Sequence, residues 1–234
     1  MFLPPIELKH IPVDTNKCSI PDYNLLNDKE IELINQNSHA TRYEKGQTIY
    51  SQNNPATYLM FVKSGLVKVY KENVSNKTII LKLSKENEYM GLIAIFGKSE
   101  YNFSASALCN TEIVFTDAET FLKVLRRNGA YSLKIMEKLS QDGLKVFDKL
   151  VNLSYKQLPG RIADILLYFS KDIFDSEEFE FPVTRQELAE LASTTKESFI
   201  RTLSDFNHDK IISLNGRKVK INSLNIIEVL SRLG

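Results

Sequence analysis

Thr195, Lys196, Glu197, Ser198 and Arg201 place two cations, one carboxylate and two hydroxyls within a short stretch of chain. Ammonium and guanidinium groups only donate hydrogen bonds, and a carboxylate only accepts them. That set matches the edges of base pairs in a duplex: Lys196 and Arg201 can donate to guanine O6 and N7, and Glu197 can accept from cytosine N4. Glu197 could instead orient Arg201 through an ion pair one helical turn away. Arg185, Gln186, Thr195 and Ser198 carry groups of the kind that hold phosphate oxygens, which fixes register without reading sequence.

Such groups reach a groove only when a helix presents them. Leu188, Ala189, Ala192, Phe199, Ile200 and Leu203 recur at helical spacing on both sides of Ser193-Thr194, which predicts two short helices joined by a tight turn. Thr184 opens the first helix as its N-cap, with Glu187 three residues on completing a capping box, and Thr195 caps the second. Periodicity taken alone fits a solvated helical hairpin better. Beyond it, Ile211 to Leu214 and Val219 to Ile221 flank Asn215-Gly216, a strong hairpin signal that brings Arg217 and Lys218 within reach of phosphate.

Two runs carry a family likeness. Thr184-Arg185-Gln186-Glu187-Leu188-Ala189, followed by Lys196-Glu197-Ser198-Phe199-Ile200-Arg201-Thr202-Leu203, resembles the helix-turn-helix of the Crp/Fnr family of bacterial transcription regulators. Lys196 stands where that family usually has arginine, and an ammonium cannot form the bidentate fork. Lys45-Gly46-Gln47-Thr48-Ile49-Tyr50 and the run from Leu59 to Tyr70 resemble the family's cyclic-nucleotide-binding jelly roll, where Gly46 and Gly65 allow turns with positive φ. The resemblance implies an α+β chain: an N-terminal jelly-roll β-barrel with its lead-in over residues 1–128, a dimerisation helix over 129–157, and a C-terminal winged helix-turn-helix over 158–234. Implied partners are double-stranded DNA and a second copy of the chain, with RNA polymerase as a further candidate.

Nucleotide-binding relatives in that family carry a G-E-L motif and, further on, R-[ST]-A. The glutamate accepts from the ribose hydroxyl, the arginine neutralises the cyclic phosphate, and the hydroxyl after it bonds to that phosphate. Here Leu92 stands at the glutamate position and Phe103, or Asn102, at the arginine position; Gly91 and Ser104 survive. The helix hydroxyls that contact the purine fall on Val146 and Phe147. An anion buried there would lack its charge partner, a loss of roughly 2–5 kcal/mol. No cofactor is expected, and cyclic AMP binding least of all. Two readings stay open: another, less charged effector, or a barrel filled by its own side chains.

The remaining elements follow from local pattern. Residues 1–26, punctuated by Pro4, Pro5, Pro12 and Pro21, read as a loose lead-in, and Asp28 to Asn37 as an amphipathic helix with Ile31 and Ile34 inward. Short β-rich runs from Thr41 to Asp117 suggest a barrel or sandwich. After a helix over Ala118 to Asn128 comes a longer one, Ala130 to about Gln157. Along it Leu133, Met136, Leu139, Gly143, Phe147 and Leu150 form a stripe that drifts as a coiled-coil seam does. A helix packed on its own barrel shows the same stripe, but two-fold dimers match palindromic operators. Pro159 then ends the long helix, Arg161 to Ser170 begins another, the tract from Asp172 to Glu180 reads as an acidic connector, and Leu224 to Leu233 as a closing helix.

With 234 residues, 43% of them hydrophobic and 25% charged, the chain suits one or two globular domains with real cores. Net charge is +1, yet between Thr195 and Lys220 basic side chains outnumber acidic ones six to three, concentrating charge where phosphate contacts are needed. No apolar run approaches a membrane span and the start lacks a basic leader, so a cytoplasmic location is expected. Cys18 and Cys109 lie far apart as free thiols, too few for an iron–sulfur cluster. A rival reading, a cupin-like barrel enzyme, needs histidines around a metal, whereas His10, His39 and His208 are scattered and none falls between Thr41 and Asp117. Neither catalysis nor a metal is expected.

Overall fold

The computed structural model describes residues 22–72 and 78–234, so the lead-in lies outside the described residues as far as residue 21. Two compact units divide within the longest helix, one ending at Gln141 and the other beginning at Asp142.

The first unit is a two-sheet antiparallel barrel. One sheet orders β1 (Ser38–Tyr43), β8 (Thr111–Asp117), β3 (Tyr58–Ser64) and β6 (Tyr89–Met90) as β1-β8-β3-β6. The other orders β2 (Thr48–Tyr50), β7 (Ser104–Ala107), β4 (Leu66–Glu72) and β5 (Thr78–Lys85) as β2-β7-β4-β5. Although β3 and β4 follow one another, they belong to different sheets, so the chain turns a corner at Gly65. There φ is +97°, and an added Cβ would collide with Thr111 on β8. Only glycine meets both conditions. Between the sheets Met60, Val62, Val67, Ala105 and Ile113 are fully buried, the β-branched and apolar content that a pleated, closed core demands.

Four helices accompany the barrel. Asn27 caps α1 (Asp28–Gln36) in a capping box with Glu30, and Ile34 is buried beneath it. α2 (Leu92–Phe96) follows Gly91, a short helix with no clear sequence signal. α3 (Ala118–Leu125) leads into α4 (Gly129–Tyr155). The chain just before α1 is not loose. Asn128 Nδ2 donates to the Leu25 carbonyl at 2.8 Å and to Glu30 Oε2 at 2.9 Å, Lys138 pairs with Asp22 at 3.2 Å, and Leu26 is buried. From Asp22 onward, then, the expectation of a free lead-in gives way to a tied-down segment.

Tyr131 anchors α4 to the barrel: its ring is buried and its hydroxyl shares a 3.0 Å hydrogen bond with that of Tyr89 on β6.

In the second unit α5 (Leu158–Leu167) runs on into a π-helical turn, Tyr168–Ile173. The acidic connector expected over 172–180 instead contains a strand, β9 (Glu178–Glu180), in which Phe179 is buried between two exposed glutamates. It pairs with β11 (Lys218–Ile221), and β10 (Ile212–Asn215) completes the order β10-β11-β9. Phe169, Phe174, Phe179 and Phe181 stack beneath this sheet at centroid distances of 5.2–6.3 Å, which is what draws the acidic tract inward. α6 (Arg185–Leu191), α7 (Lys196–His208) and α8 (Leu224–Leu233) complete the unit. Asp164 on α5 accepts from Lys156 Nζ at 2.7 Å and from Ser231 Oγ at 2.6 Å, joining three segments through one carboxylate.

Burial pushes the Tyr131 hydroxyl up to about 12, from about 10 in an unfolded chain. Folding favours the neutral phenol, so its contribution is complete below about pH 10 and is lost as pH rises through about 12. Urea titrations should show stability falling across that window by on the order of 1–2 kcal/mol. Tyr131→Phe should lessen that fall, to which the Tyr43, Tyr50 and Tyr101 hydroxyls, also raised in pKa by burial, contribute as well, and cost about 1 kcal/mol at neutral pH through the lost Tyr89 bond.

Candidate nucleic-acid interface

Thr184 and Glu187 cap each other at the start of α6: Glu187 N donates to Thr184 Oγ1 at 3.2 Å, and Thr184 N donates to the Glu187 carboxylate at 2.8 Å. α6 buries Leu188, Ala189 and Leu191. Its exit needs a left-handed residue, and Ser193 supplies it at φ +52° while Thr194 N donates back to the Ala189 carbonyl at 2.9 Å. Thr195 Oγ1 then accepts from Ser198 N at 3.2 Å and starts α7.

α7 buries Phe199, Thr202, Leu203 and Phe206. At 3.6 residues per turn that choice turns Glu197, Arg201, Ser204 and Asp205 outward, and all four are exposed. Lys196, in the first turn, is exposed too. Among the described residues no ion pair joins Glu197 to Arg201, so both present free heads to solvent. Ser198 is half-buried and accepts from the Thr195 hydroxyl at 3.1 Å. Gln186 is exposed beside Glu190, to which its amide donates at 3.3 Å.

Arg185, half-buried, and Arg217, exposed, both bond to backbone carbonyls of the fold. Arg185 Nη2 donates to the Gly216 carbonyl at 2.6 Å, and its guanidinium lies 5.2 Å over the Phe181 ring. Burial, and then the neighbouring charge of Arg217, lower its pKa below the ordinary guanidinium range. Arg217 Nε and Nη2 donate to the Phe181 carbonyl at 3.0 and 2.8 Å, Nη2 also reaches Val183 O at 3.3 Å, and Phe181 N donates back to Arg217 O at 3.1 Å. Where the sequence suggested phosphate contact, the Arg217 guanidinium is already occupied by two carbonyls. Beyond it the exposed wing cations Lys218 and Lys220 alternate with buried Val219 and Ile221. Glu180 lies opposite Lys218 and Glu178 opposite Lys220, so the wing's positive field is partly compensated.

The barrel cassette is apolar. Gly91 opens α2 at φ +92°, Leu92 is buried, and Asn102 and Phe103 are half-buried. Lys71 Nζ lies 3.3 Å from the Asn102 carbonyl and 5.6 Å over the Phe103 ring. Ser104 is 3% exposed and its Oγ accepts from Gln52 N at 3.0 Å. A cyclic phosphate finds neither guanidinium nor carboxylate at positions 92, 102 or 103, so these residues do not fit it. Val146 and Phe147 are exposed on the half of α4 that belongs to the second unit.

α4 carries an exposed apolar stripe through Leu133, Met136, Leu144, Phe147, Val151 and Tyr155. Ser140 fills the gap, giving steps of three and four residues throughout. Two members of the expected seam fall off this line. Leu139 is half-buried against the barrel's own core and Gly143 is half-buried, while Leu150 is exposed on the stripe's flank.

A capped helix that presents exposed charged head groups beside a three-stranded wing, on the same chain as a two-sheet barrel, defines a DNA-binding transcription regulator and not an enzyme. A cyclic nucleotide-binding domain model matches residues 40–128, and a Crp-like helix-turn-helix domain model matches residues 160–228. The chain belongs to the Crp/Fnr family. It is 23% identical over 186 residues to the global nitrogen regulator of Nostoc sp., covering 77% of this chain and 83% of that one. It is 22% identical over 184 residues to the CRP-like cAMP-activated global transcriptional regulator of Mycobacterium tuberculosis, covering 77% and 82%. Its fold matches that of FixK2 from Bradyrhizobium japonicum with a TM-score of 0.76, at 20% identity, over 82% of this chain and 96% of that one. No helix among the described residues is long and apolar enough to cross a membrane.

The two wing cations should separate in stability measurements. Arg217→Ala should cost about 1–3 kcal/mol in thermal or urea unfolding by leaving the Phe181 and Val183 carbonyls unpaired. Lys218→Ala, which removes an exposed head, should stay within about 0.5 kcal/mol of the parent.

Proposed function

We propose that the chain acts in the cytoplasm as a homodimer on palindromic operators, with the exposed head groups of Lys196, Glu197 and Arg201 entering successive major grooves. The observation that carries this reading is the outward face of α7: these three heads are exposed while every large apolar residue of the helix except Ile200 is buried. Arg201 and Lys196 donate to guanine, and Glu197 accepts from cytosine. Gln186, Thr195, Ser198 and Lys218 hold phosphates, with Arg185 and Arg217 bracing the frame they stand on. The second copy covers the α4 stripe from Leu133 to Tyr155. RNA polymerase is the protein partner such a regulator would engage. Cyclic AMP is not its effector, because positions 92, 102 and 103 hold neither the carboxylate for its ribose nor the guanidinium for its phosphate.

Duplexes selected from a random pool by the full chain supply the operator. On that operator Arg201→Ala should cost about 1–3 kcal/mol and relax the preference at one base pair of each half-site. Lys218→Ala should weaken selected and scrambled duplexes alike and lower the salt slope by about one. Equal affinity of the parent chain for both duplexes would remove sequence-specific reading. In sedimentation, Phe147→Asp should turn the dimer into monomers at micromolar concentration; an unchanged dimer would place the interface elsewhere.

A further inference from the structure

We propose that Tyr101 fills the cassette of the barrel as a tethered ring, so that this regulator holds its DNA-binding form without a small-molecule effector. The proposal rests on the DNA-reading role above and adds how that role is controlled.

Tyr101 lies two residues before Phe103 and is 6% exposed. Its ring packs on the cassette glycine: a Cβ added at Gly91 would stand 3.5 Å from Tyr101 Cε1, 3.3 Å from the Tyr58 carbonyl and 3.4 Å from Met60 Cε. The phenol donates to that same Tyr58 carbonyl at 2.8 Å, and the ring lies against that of Tyr50, tilted by 32°, at a centroid distance of 4.4 Å. Backbone bonds hold the residue from both sides, Tyr101 N to Asn54 O at 2.9 Å and Asn53 N to Tyr101 O at 2.7 Å. Ring, hydroxyl and backbone are all fixed by groups within one unit.

Polar groups around the ring are answered internally. Ser104 Oγ takes Gln52 N, the Gly91 carbonyl takes Ile95 N at 3.0 Å, and the Asn102 carbonyl takes Lys71. Leu92 and Phe103 stand where a cyclic nucleotide would need a carboxylate for its ribose hydroxyl and a guanidinium for its phosphate. Burial raises the pKa of the Tyr50 and Tyr101 hydroxyls, which keeps this ring pair uncharged. The strand that runs into Gly91 is β6, and its Tyr89 is bonded to Tyr131 of α4. The cassette is therefore pinned to the long helix by side chains alone. A ligand shifts an equilibrium only by its difference in affinity for two states, and a cassette already filled in the active state leaves little difference to exploit. DNA occupancy then follows the concentration of the regulator and not that of a metabolite.

The test uses the dialysed full chain and its pool-selected duplex. The native mass should match the bare polypeptide assembly, and millimolar cyclic AMP or cyclic GMP should change DNA affinity by less than about twofold. Tyr101→Gly should bind that duplex at least about tenfold more weakly, a loss of about 1.4 kcal/mol, and 4-methylphenol, the severed side chain, should restore it. Tyr101→Phe, which keeps the ring, should stay within about threefold of the parent. A stoichiometric small molecule on the native assembly, a tenfold gain with either nucleotide, or a Tyr101→Gly variant that binds like the parent would each overturn the proposal. If Tyr101→Gly does not fold, the native mass and the nucleotide titration of the parent decide. If the parent prefers no duplex, the DNA reading fails instead. The cassette proposal is then judged by calorimetry, in which 4-methylphenol should bind Tyr101→Gly and not the parent.

Discussion

Phe199 has no exposed surface, and Leu203 and Phe206 on the same side of α7 are buried with it. This apolar face fixes the rotation of the helix about its axis, because turning it outward would return three large side chains to water at roughly 1.5–3 kcal/mol each. Rotation in turn decides which residues look outward. Glu197 and Arg201 lie nearly opposite Phe199, so the burial of one ring aims both charged heads at solvent. The start of the helix is fixed as firmly, since Thr195 satisfies the Ser198 amide and Ser193 takes the left-handed turn that separates α7 from α6. Position along the axis and rotation about it are thus set by a cap and a face, leaving the reading groups free of structural duty.

The wing shows the reverse division of labour. Arg185 and Arg217 are the residues a charge count would assign to phosphate, yet their guanidiniums close the segment from Phe181 to Arg185 onto the Gly216 turn. A guanidinium can brace carbonyls from several directions because its donors form a rigid planar fork, whereas an ammonium on a flexible stem is better suited to a mobile phosphate. The lysines Lys218 and Lys220 are exposed without such a brace.

Much of this was legible in the sequence because it is local. Capping at Thr184 and Thr195, the turn at Asn215-Gly216, positive φ at Gly46 and Gly65, and the periodicity around Ser193-Thr194 all depend on residues within a few positions of one another. What escaped depends on partners far along the chain. β9 sits in an acidic tract, and only its pairing with β11 and the phenylalanine stack beneath it make Glu178-Phe179-Glu180 a strand. The split of β3 and β4 between two sheets is set by what each strand pairs with, which no hairpin signal encodes. Along α4, Leu139 and Leu144 look alike in the sequence; only the barrel core decides that Leu139 packs inward while Leu144 stays exposed. At the cassette the absence of charge at Leu92 and Phe103 was plain, but that Tyr101 lies against Gly91 follows from its bond to the Tyr58 carbonyl, 43 positions away.

Three reading groups on one short helix set a limit that bears on assembly. A good base contact discriminates by about 1–3 kcal/mol, while specific sites are preferred over random DNA by roughly 4–10 kcal/mol. One copy of Lys196, Glu197 and Arg201 falls toward the low end of that range, the more so because Lys196 lacks the fork of an arginine. Presenting the same helix twice would double the discrimination without a new kind of contact. The stripe from Leu133 to Tyr155 faces a second physical demand, since so continuous an apolar surface is costly in water. In the proposed dimer one event meets both: covering the stripe on α4 is what brings two copies of α7 onto one duplex. In that dimer the energy of assembly would come from apolar burial, and the specificity from polar groups that the burial leaves exposed.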